Sequence, residues 1–295
     1  MNSHPQFSII IVTFNRPTLI KQVLANLVSL DVQSPRFEVV VVNDGGEKET
    51  EAIIRSYEQA LSIRYIASSS RLNSSVARNK AIDQAQGTHL IFLDDDVLLS
   101  RDFLMNVSKY VEHYDVFSCR IERHRPIRSS SFARFFSWIT PGAIFPLLGY
   151  LSGGFDIVYS HPKRVHHLPG CMMVVKRSCC ATVRFDPTLG MGNGYLDDAD
   201  FSLSVERENK VQLWYISSFS LVHLQASAGG NREHDRCRWY FFYLTHKFYF
   251  FKKHFLPLYH VPIIIFSFFE TSIRSIIWRE NLFGSFIEAL RYEIQ

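Results

Sequence analysis

Short apolar runs alternate with segments of helical periodicity through the first third of the chain. Four runs rich in β-branched or aromatic residues predict buried strands, namely Phe7–Thr13, Phe37–Asn43, Ile63–Ala67 and His89–Leu93. Helices are predicted between them, from Arg16–Thr18 onward and over Glu47–Leu61 and Ser75–Gln86. Strands that alternate with helices at this spacing predict an α/β fold whose parallel sheet has right-handed crossovers.

Polar residues follow three of the predicted strands. They are Thr13–Asn15, Asp44 and the acidic triplet Asp94–Asp96. In folds of this class the carboxyl ends of parallel strands lie at one edge of the sheet, where ligands bind. We therefore expect a binding site at this edge.

The acidic triplet is the strongest chemical signal in this part of the chain. Three successive carboxylates repel one another unless a cation neutralises them, and oxygen-rich clusters suit Mg²⁺ or Mn²⁺ bridging to phosphates. Strand alternation directs Asp94 and Asp96 to one side and Asp95 to the other. A solvated acidic turn is the alternative interpretation of these three residues taken alone.

A second acidic segment opens a helix predicted over Asp197–Glu208. Carboxylates at a helix N-terminus cap free N–H groups and complement the positive end of the helix dipole. Capping explains one of Asp197, Asp198 and Asp200 but not all three. Asp198 is the candidate general base, able to deprotonate an acceptor hydroxyl.

Two isolated polar residues have more than one interpretation. His223 ends a short apolar run and is either structural or, if the fold brings it beside the acidic triplet, a metal ligand. Arg78, on a predicted helix, has three interpretations: contact with a diphosphate, a pair with a strand-end carboxylate, or a surface salt bridge. The sequence contains no GxGxxG and no GxxxxGK[ST] motif, so diphosphate binding would have to go through a metal.

Later segments differ in composition from the first third. Further strands are predicted near Cys171–Val175 and over Val211–Ile216 and Leu221–His223. Residues 120–134 contain five arginines, and residues 135–155 contain no charge but are interrupted by proline and glycine. The second stretch predicts a loop over the active site or against lipid, and not a spanning helix.

The C-terminal part, from Trp239 onward, is aromatic-rich and helical in pattern. Its apolar run Phe255–Phe269 is 15 residues long, which is short for a membrane span. Two interpretations stay open: an interfacial amphipathic segment or a pair of helices packed on the core.

Composition narrows the class of protein. The chain has 295 residues, 47% of them hydrophobic, and 32 Lys and Arg against 28 Asp and Glu give a net charge of +4. This mild excess suits a small anionic ligand or an anionic membrane surface and does not by itself imply nucleic acid. A mean hydropathy of -0.01 argues against a polytopic membrane protein. The five cysteines include no CxxC pair, which indicates a reducing cytosol and argues against a disulfide scaffold.

Taken in order, the motifs resemble one family. The segments IIIVTFNRP, VVVNDGG, SSVARNKAIDQAQGTHLIFLDDDV, PGCMMVVKRS, FDPTLGMGNGYLDDADFSLSV and LVHLQASAGG are similar to a family 2 inverting glycosyltransferase with the GT-A fold. This resemblance covers about residues 7–225. The tail RWYFFYLTHKFYFFKKHF is similar to the C-terminal segment of bacterial members that build cell-surface polysaccharides.

The resemblance implies an organisation and an activity. Residues 1–225 would form a GT-A domain, Rossmann-like with a mainly parallel sheet, with an acceptor-side region at 120–165. Residues 226–295 would form a helical, membrane-interfacial segment. The expected activity is Mn²⁺- or Mg²⁺-dependent transfer of a sugar from a UDP-, dTDP- or GDP-linked donor to a lipid-linked or polysaccharide acceptor. The expected location is cytoplasmic, peripheral on the inner face of the cell membrane. A non-catalytic nucleotide-sugar-binding or scaffold protein of the same fold is the alternative.

The resemblance also assigns roles to individual positions. On the donor side these are Thr13, Asn15 and Pro17 beside the nucleotide base, Asp44 reading the base, Arg78 near the nucleotide, and Asp94 or Asp95 on the ribose. The remaining roles are Asp96 and His223 at the metal, Gly170 in an acceptor-side strand, Asp197 on the acceptor side, and Asp198 as the catalytic base.

Two positions depart from the family pattern. The first acid of the usual Glu-Asp pair is Asp197, which is shorter by one methylene. The arginine usually found six residues after the base is replaced by Ser204, and Arg207 is the candidate substitute one turn later.

Overall fold

The computed structural model describes residues 5–31, 33, 35–123, 140–226, 230 and 233–294. Most of the predicted basic stretch 120–134 and the first residues of the apolar stretch 135–155 therefore lie outside the described residues. The strands are β1 (Phe7–Thr13), β2 (Phe37–Asn43), β3 (Ile63–Ala67), β4 (His89–Asp94), β5 (Val97–Leu99), β6 (Val116–Arg123), β7 (Ile144–Phe145), β8 (Tyr150–Leu151), β9 (Lys163–Val165), β10 (Met172–Lys176) and β11 (Leu213–His223). The helices are α1 (Pro17–Val28), α2 (Lys48–Ser56), α3 (Ser74–Gln84), α4 (Phe103–Tyr110), α5 (Asp197–Asn209), α6 (Arg236–His254), α7 (His260–Trp278) and α8 (Phe283–Ile294).

The predicted strands and helices of the first third are confirmed, with small shifts at their ends. Helix α2 ends at Ser56, before the predicted limit at Leu61. Helix α3 begins one residue early because the side chain of Asn73 accepts a hydrogen bond from the N–H of Val76 at 3.0 Å.

The main sheet has nine strands, eight of them in the order β3-β2-β1-β4-β10-β6-β11-β5, with β9 paired to β11. Strands β3, β2, β1 and β4 run parallel, as the sequence predicts. The sheet is mixed beyond them, because β10 lies antiparallel between β4 and β6. The result is an α/β fold with a mainly parallel sheet flanked by helices, which confirms the predicted class.

The register of two strand pairs assembles the polar edge of the sheet. Val12 of β1 pairs with Asp94 of β4, so the ends of these strands are adjacent. His223 at the end of β11 pairs with Val97, the residue that follows the acidic triplet. The two short strands predicted at 211–216 and 221–223 are one continuous strand, with a register shift between Ile216 and Ser220.

The apolar residues form two cores. The first lies between the sheet and α1–α4 and contains Ile10, Val40 and Phe92, which are 0–1% exposed. The second surrounds α6 and includes residues from α7 and α8. It also takes in Leu196 and Leu203, which precede the predicted domain limit at residue 225. The helical C-terminal segment is therefore packed against α5, and the limit itself stays a prediction.

Helix α7 is longer than the apolar run from which it was predicted. Within the described part of the chain, one helical segment, Pro257–Trp278, is long and apolar enough to cross a membrane. It has 22 residues and is 17% buried. The sequence predicts a segment too short to span a membrane, and this prediction is wrong on length. Glu270 ends the apolar run in the sequence, but its side chain lies on the partly buried inner side of a helix that continues beyond it.

Candidate active site

A cleft of about 670 Å³ lies at the carboxyl edge of the parallel strands. Its lining includes nine of the predicted site residues, namely Asp44, Arg78, Asp94–Asp96, Gly170, Asp197, Asp198 and His223. The fold therefore brings together acidic groups that lie more than 100 residues apart in the sequence.

Asp94, Asp96 and His223 converge at one end of the cleft. One ligand atom from each of these residues lies within 4.8 Å of the other two. The Nε2 atom of His223 lies 3.1 Å from Oδ1 of Asp96, and the N–H of Ala226 donates to its Oδ2 at 2.8 Å. The predicted approach of His223 to the acidic triplet is confirmed.

The same residues fit a divalent cation. Burial by itself would raise the pKa of Asp96, but the hydrogen bond and positive charge of His223 hold that pKa below its usual range. Two carboxylates and an imidazole are ligands that Mn²⁺ and Mg²⁺ accept, with Mn²⁺ the better match to the imidazole. The donor set is thus suitable for the predicted metal.

Asp95 is separate from this cluster, as predicted, but not by strand alternation, because β4 ends at Asp94 and Asp95 and Asp96 form a turn. Its Oδ2 accepts from the hydroxyl of Thr13 at 2.8 Å, and its Oδ1 lies 2.5 Å from Nη1 of Arg16. Burial raises the pKa of Asp95 to about 6, and the guanidinium of Arg16 opposes that shift. The position of Arg16 in this pair was not predicted from the sequence.

Arg78 connects the two acidic segments. Its Nη1 donates to Oδ2 of Asp197 at 2.7 Å, and its Nη2 lies 3.5 Å from Oδ1 of Asp94. The hydroxyl of Ser74 also donates to Asp197, at 2.9 Å. Burial raises the pKa of Asp197 to about 6, while the charge of Arg78 opposes the increase. Of the three interpretations of Arg78, pairing with a strand-end carboxylate is observed at Asp94, and the closer pair with Asp197 at the start of α5 was not predicted.

Asp198 lies beside the loop that precedes β10. Its Oδ2 accepts from the N–H of Gly170 at 2.6 Å, and its Oδ1 accepts from the N–H of Ala199 at 2.8 Å. Burial raises its pKa, and both hydrogen bonds and Arg78 oppose the shift. Gly170 itself is in a turn and not in a strand, because β10 begins only at Met172. Each residue borders the cleft, but their acceptor-side and catalytic roles stay predictions.

Of the residues assigned to the nucleotide base, Asp44 lines the cleft, whereas Thr13, Asn15 and Pro17 are not among the described residues that line it. Asp44 is buried and accepts from the N–H groups of Leu72 and Asn73 at 2.6 and 3.4 Å, so it holds the loop before α3. Asn15 has a positive φ of 52° between β1 and α1, and Pro17 is the first residue of α1. Their contacts with a nucleotide stay predictions.

Arg207 does not take the position of the missing arginine. Its Nη1 donates to the carbonyl oxygen of His254 at 2.8 Å, and its guanidinium lies over the ring of Phe255. The cleft lining, as far as the structure describes it, does not include this residue. The helix turn from Ser204 to Arg207 directs the side chain to the C-terminal helices instead.

Helix α6 supports the acidic segment in a way that the sequence did not indicate. Asp200 is 1% exposed and lies 2.6 Å from Nε2 of His254 and 2.9 Å from Nζ of Lys253. Lys253 also contacts Asp186 at 2.8 Å. These pairs join residues more than 50 positions apart, so no local pattern identifies them.

Comparison with known proteins gives the fold class. Residues 1–349 of TarS of Staphylococcus aureus, solved in complex with UDP-GlcNAc, are similar with a TM-score of 0.67 at 16% identity, covering 98% of this chain and 81% of that chain. The mannosyltransferase PcManGT of Pyrobaculum calidifontis, solved with GDP-Man and Mn²⁺, has a TM-score of 0.60 at 19% identity, covering 99% and 75%. The fold and the acidic cleft together define a GT-A-like protein.

Sequence comparison gives the family. The model described as Glycosyl transferase family 2 matches residues 8–182. Hyaluronan synthase of Pasteurella multocida is 38% identical over 97 residues, which is 32% of this chain and 10% of that protein. The match thus spans a small part of this longer relative. The chain belongs to glycosyl transferase family 2, and the resemblance drawn from the motifs is confirmed.

Proposed function

We propose that this protein transfers a sugar from a nucleotide-diphosphate donor to a hydroxyl of an acceptor, with inversion at the anomeric carbon. One observation carries the proposal: Asp94, Asp96 and His223 form a metal-ligand cluster in the same cleft as Asp198. In an inverting transfer the hydroxyl attacks the anomeric carbon from the face opposite to the leaving diphosphate, so a base is needed on one face and a group that neutralises the diphosphate on the other.

The protein groups divide the chemistry between them. Asp94, Asp96 and His223 would hold a Mn²⁺ or Mg²⁺ ion, which neutralises charge on a diphosphate leaving group. Asp198 takes the proton of the acceptor hydroxyl, and its raised pKa makes it a stronger base than an exposed aspartate. The N–H groups of Gly170 and Ala199 each bond to one oxygen of this carboxylate and fix its position. Each oxygen has a second lone pair that can accept the incoming proton.

Arg78 adds positive charge beside the donor site. It is buried between Asp197 and Asp94, so its side chain has one fixed position. We infer that Arg78 holds Asp94 in the orientation that the metal requires and offsets negative charge from the diphosphate. Asp44, Thr13, Asn15, Pro17 and Asp95 are assigned to the nucleoside end.

The donor and acceptor classes follow from the relatives. The similar structures hold UDP-GlcNAc and GDP-Man, so we propose a UDP-, dTDP- or GDP-linked hexose as the donor. A hyaluronan synthase among the relatives supports a polysaccharide or lipid-linked acceptor.

We also propose that the protein associates peripherally with the inner face of the cell membrane through α7. Leu258, Val261 and Ile276 of this region are 62–78% exposed, and apolar surface of this kind gains free energy in a lipid interface. Flotation with anionic vesicles tests this. Ile276→Glu should lower the bound fraction, whereas Val158→Glu, at another exposed apolar position, should not. Equal binding by both variants and wild type would contradict the proposal.

A donor screen tests the activity. Purified protein is incubated with Mn²⁺ and UDP-, dTDP- and GDP-sugars, and transfer or hydrolysis is followed by mass spectrometry. Asp198→Asn should abolish turnover while keeping metal-dependent nucleotide binding by calorimetry. Asp83→Asn is the matched control. Asp83 lies on α3 and forms an exposed pair with Arg184, so its replacement should leave turnover unchanged.

Metal-dependent nucleotide binding by the wild type without turnover on any donor would favour a binding or scaffold protein instead. The absence of an arginine at position 204 is the sequence feature in favour of that alternative.

A further inference from the structure

Helix α7 carries its polar side chains on its inner face. All of its exposed positions among the described residues are apolar, namely Val261, Ile265, Phe266, Phe268, Phe269, Ile273, Ile276 and Ile277. Ser267 and Thr271 are 0% exposed, and Glu270 lies on the same inner side. A polar interior beneath an apolar exterior is the reverse of an ordinary surface helix, so the inner groups require a separate explanation.

Glu270 is the centre of these inner contacts. Its carboxylate accepts from the hydroxyl of Tyr243 at 2.9 Å and from Nζ of Lys247 at 3.1 Å, both on α6. Arg274, one turn further along α7, completes this cluster: its Nη2 lies 2.8 Å from Oε1 of Glu270. Burial alone would raise the pKa of Glu270, but Lys247 and Arg274 hold it below its usual range. The carboxylate is therefore charged at neutral pH.

Tyr243 connects this group to the active-site cleft. Its ring lies 4.6 Å from the ring of Tyr195, centroid to centroid. Tyr195 lines the cleft and immediately precedes the segment that contains Asp197 and Asp198. Its two neighbours, Gly194 and Leu196, have positive φ values of 64° and 69°. This backbone is in a sparsely populated conformation that surrounding contacts must hold in place.

Stability alone is a poor explanation for the charged cluster. A buried ion pair often contributes no more to folding than apolar side chains of the same volume. A hydrogen bond to a charged group, however, fixes direction as well as distance. The hydroxyl of Tyr243 is thus held against the carboxylate of Glu270, at 2.9 and 3.2 Å from its two oxygens, and the ring is held against Tyr195.

We propose that Tyr243 and Glu270 are positioning residues that hold Tyr195, and through it the backbone carrying Asp198, in the geometry needed for proton removal from the acceptor. This inference rests on the proposed function for its catalytic consequence. The contact chain runs from Glu270 on α7 to Tyr243 on α6 and then to Tyr195 beside the acidic pair.

Tyr243→Phe is the decisive variant because it removes only the hydroxyl that bonds to Glu270. Tyr240→Phe is the matched control: its hydroxyl, on the same helix α6, lies 2.9 Å from Oγ1 of Thr271, and both groups are buried. Each variant therefore loses the contacts of one hydroxyl between α6 and α7, which for Tyr243 are to both carboxylate oxygens of Glu270 at 2.9 and 3.2 Å. Only Tyr243 has its ring against Tyr195 at 4.6 Å.

Two measurements separate positioning from general packing. Hydrogen exchange of the peptide covering residues 193–200 should become faster in Tyr243→Phe and stay at the wild-type rate in Tyr240→Phe. In the transfer assay, Tyr243→Phe should lower kcat about tenfold or more, since small displacements of catalytic groups have effects of this size, with the donor KM unchanged.

A third variant tests the contact itself. Tyr195→Leu should also accelerate exchange across 193–200, and the double variant Tyr195→Leu, Tyr243→Phe should show less than the sum of the two effects, as expected for residues in one contact chain. Equal exchange in Tyr243→Phe, Tyr240→Phe and wild type would overturn the inference. If the wild type transfers no sugar, the proposed activity fails, but the exchange result still decides the positioning role.

Discussion

The N–H of Gly170 donates a hydrogen bond to Oδ2 of Asp198 at 2.6 Å. The two residues are 28 positions apart, and the contact joins the loop before β10 to the first turn of α5. The position of Asp198 therefore depends on a second chain segment, and a small change at Gly170 should displace the Asp198 carboxylate.

Gly170→Ala should lower kcat without weakening donor binding. A Cβ atom at this position would lie 3.1 Å from both Cβ and Oδ2 of Asp198, closer than most such contacts, so the carboxylate must shift. We expect a loss of about tenfold in kcat, measured at saturating donor. Gly284→Ala is the control, because no atom lies within 4 Å of its added methyl group. A Gly170→Ala enzyme with wild-type kcat would contradict the assignment of Asp198.

Asp96→Asn should weaken Mn²⁺ binding far more than Asp95→Asn. Asp96 lies 3.1 Å from His223 in the predicted metal cluster, whereas Asp95 contacts Arg16 and Thr13. Even the loss of groups that orient metal ligands reduces affinity about 10- to 100-fold, so loss of a ligand should be at least as severe. Calorimetric titration of Mn²⁺ into the nucleotide complex measures this. Similar losses in the two variants would contradict the assignment of Asp96, and not Asp95, as a metal ligand.

Asp197→Asn should destabilise the fold because it leaves Arg78 buried without its principal counter-ion. Breaking one partner of a buried pair costs about 3–5 kcal/mol in the free energy of unfolding. Urea denaturation followed by circular dichroism measures the change. Asp115→Asn removes an exposed pair with Lys176 and should change the unfolding free energy by less than about 1 kcal/mol. If both variants are equally stable, Arg78 has another compensating partner.

His246 should make part of the stability depend on pH. Burial lowers its pKa from 6.5 to about 4, so the unfolded chain binds a proton at a higher pH than the folded chain does. Its contribution is complete above pH 6.5 and is lost as the pH falls toward 4. The difference in unfolding free energy between wild type and His246→Gln should therefore shrink by about 2 kcal/mol between pH 7 and pH 5.

Comparison with the variant isolates this histidine from other groups. Asp95 and Asp197, whose pKa values are raised to about 6, act in the opposite direction on acidification, but they are present in both proteins. His113→Gln, at an exposed position, is the control. A difference between wild type and His246→Gln that stays constant over this pH range would show that burial does not lower the pKa of this histidine.

Much of the donor side of the site was predictable from local sequence. The apolar run before the acidic triplet identifies a strand, and alternation predicts the grouping of Asp94 with Asp96 apart from Asp95, although in the structure a turn at Asp95 and Asp96 produces it. Each of these statements depends on residues within a few positions of one another. The antiparallel strand β10 between β4 and β6 was not predictable in the same way, because pairing order depends on contacts distant in sequence.

The long-range partners of the acidic segment could not be read from the sequence. Asp197 has a capping interpretation at a helix N-terminus, yet its carboxylate bonds to Arg78 and Ser74. Asp200 has the same local pattern, and its partners are Lys253 and His254 in α6. Sequence spacing gives no signal for such pairs, since their two ends lie on separate helices: α3 packs in the first apolar core, and α6 packs on α5 through the second.

The support of Asp200 by Lys253 and His254 bears on how shorter versions of this protein should be made. Cleavage at residue 225, the predicted limit of the catalytic domain, would deprive a carboxylate that is 1% exposed of both its side-chain partners in α6 and would expose Leu203 to water. Such a fragment would keep every residue assigned to the site and still lack the scaffold for its own acidic helix.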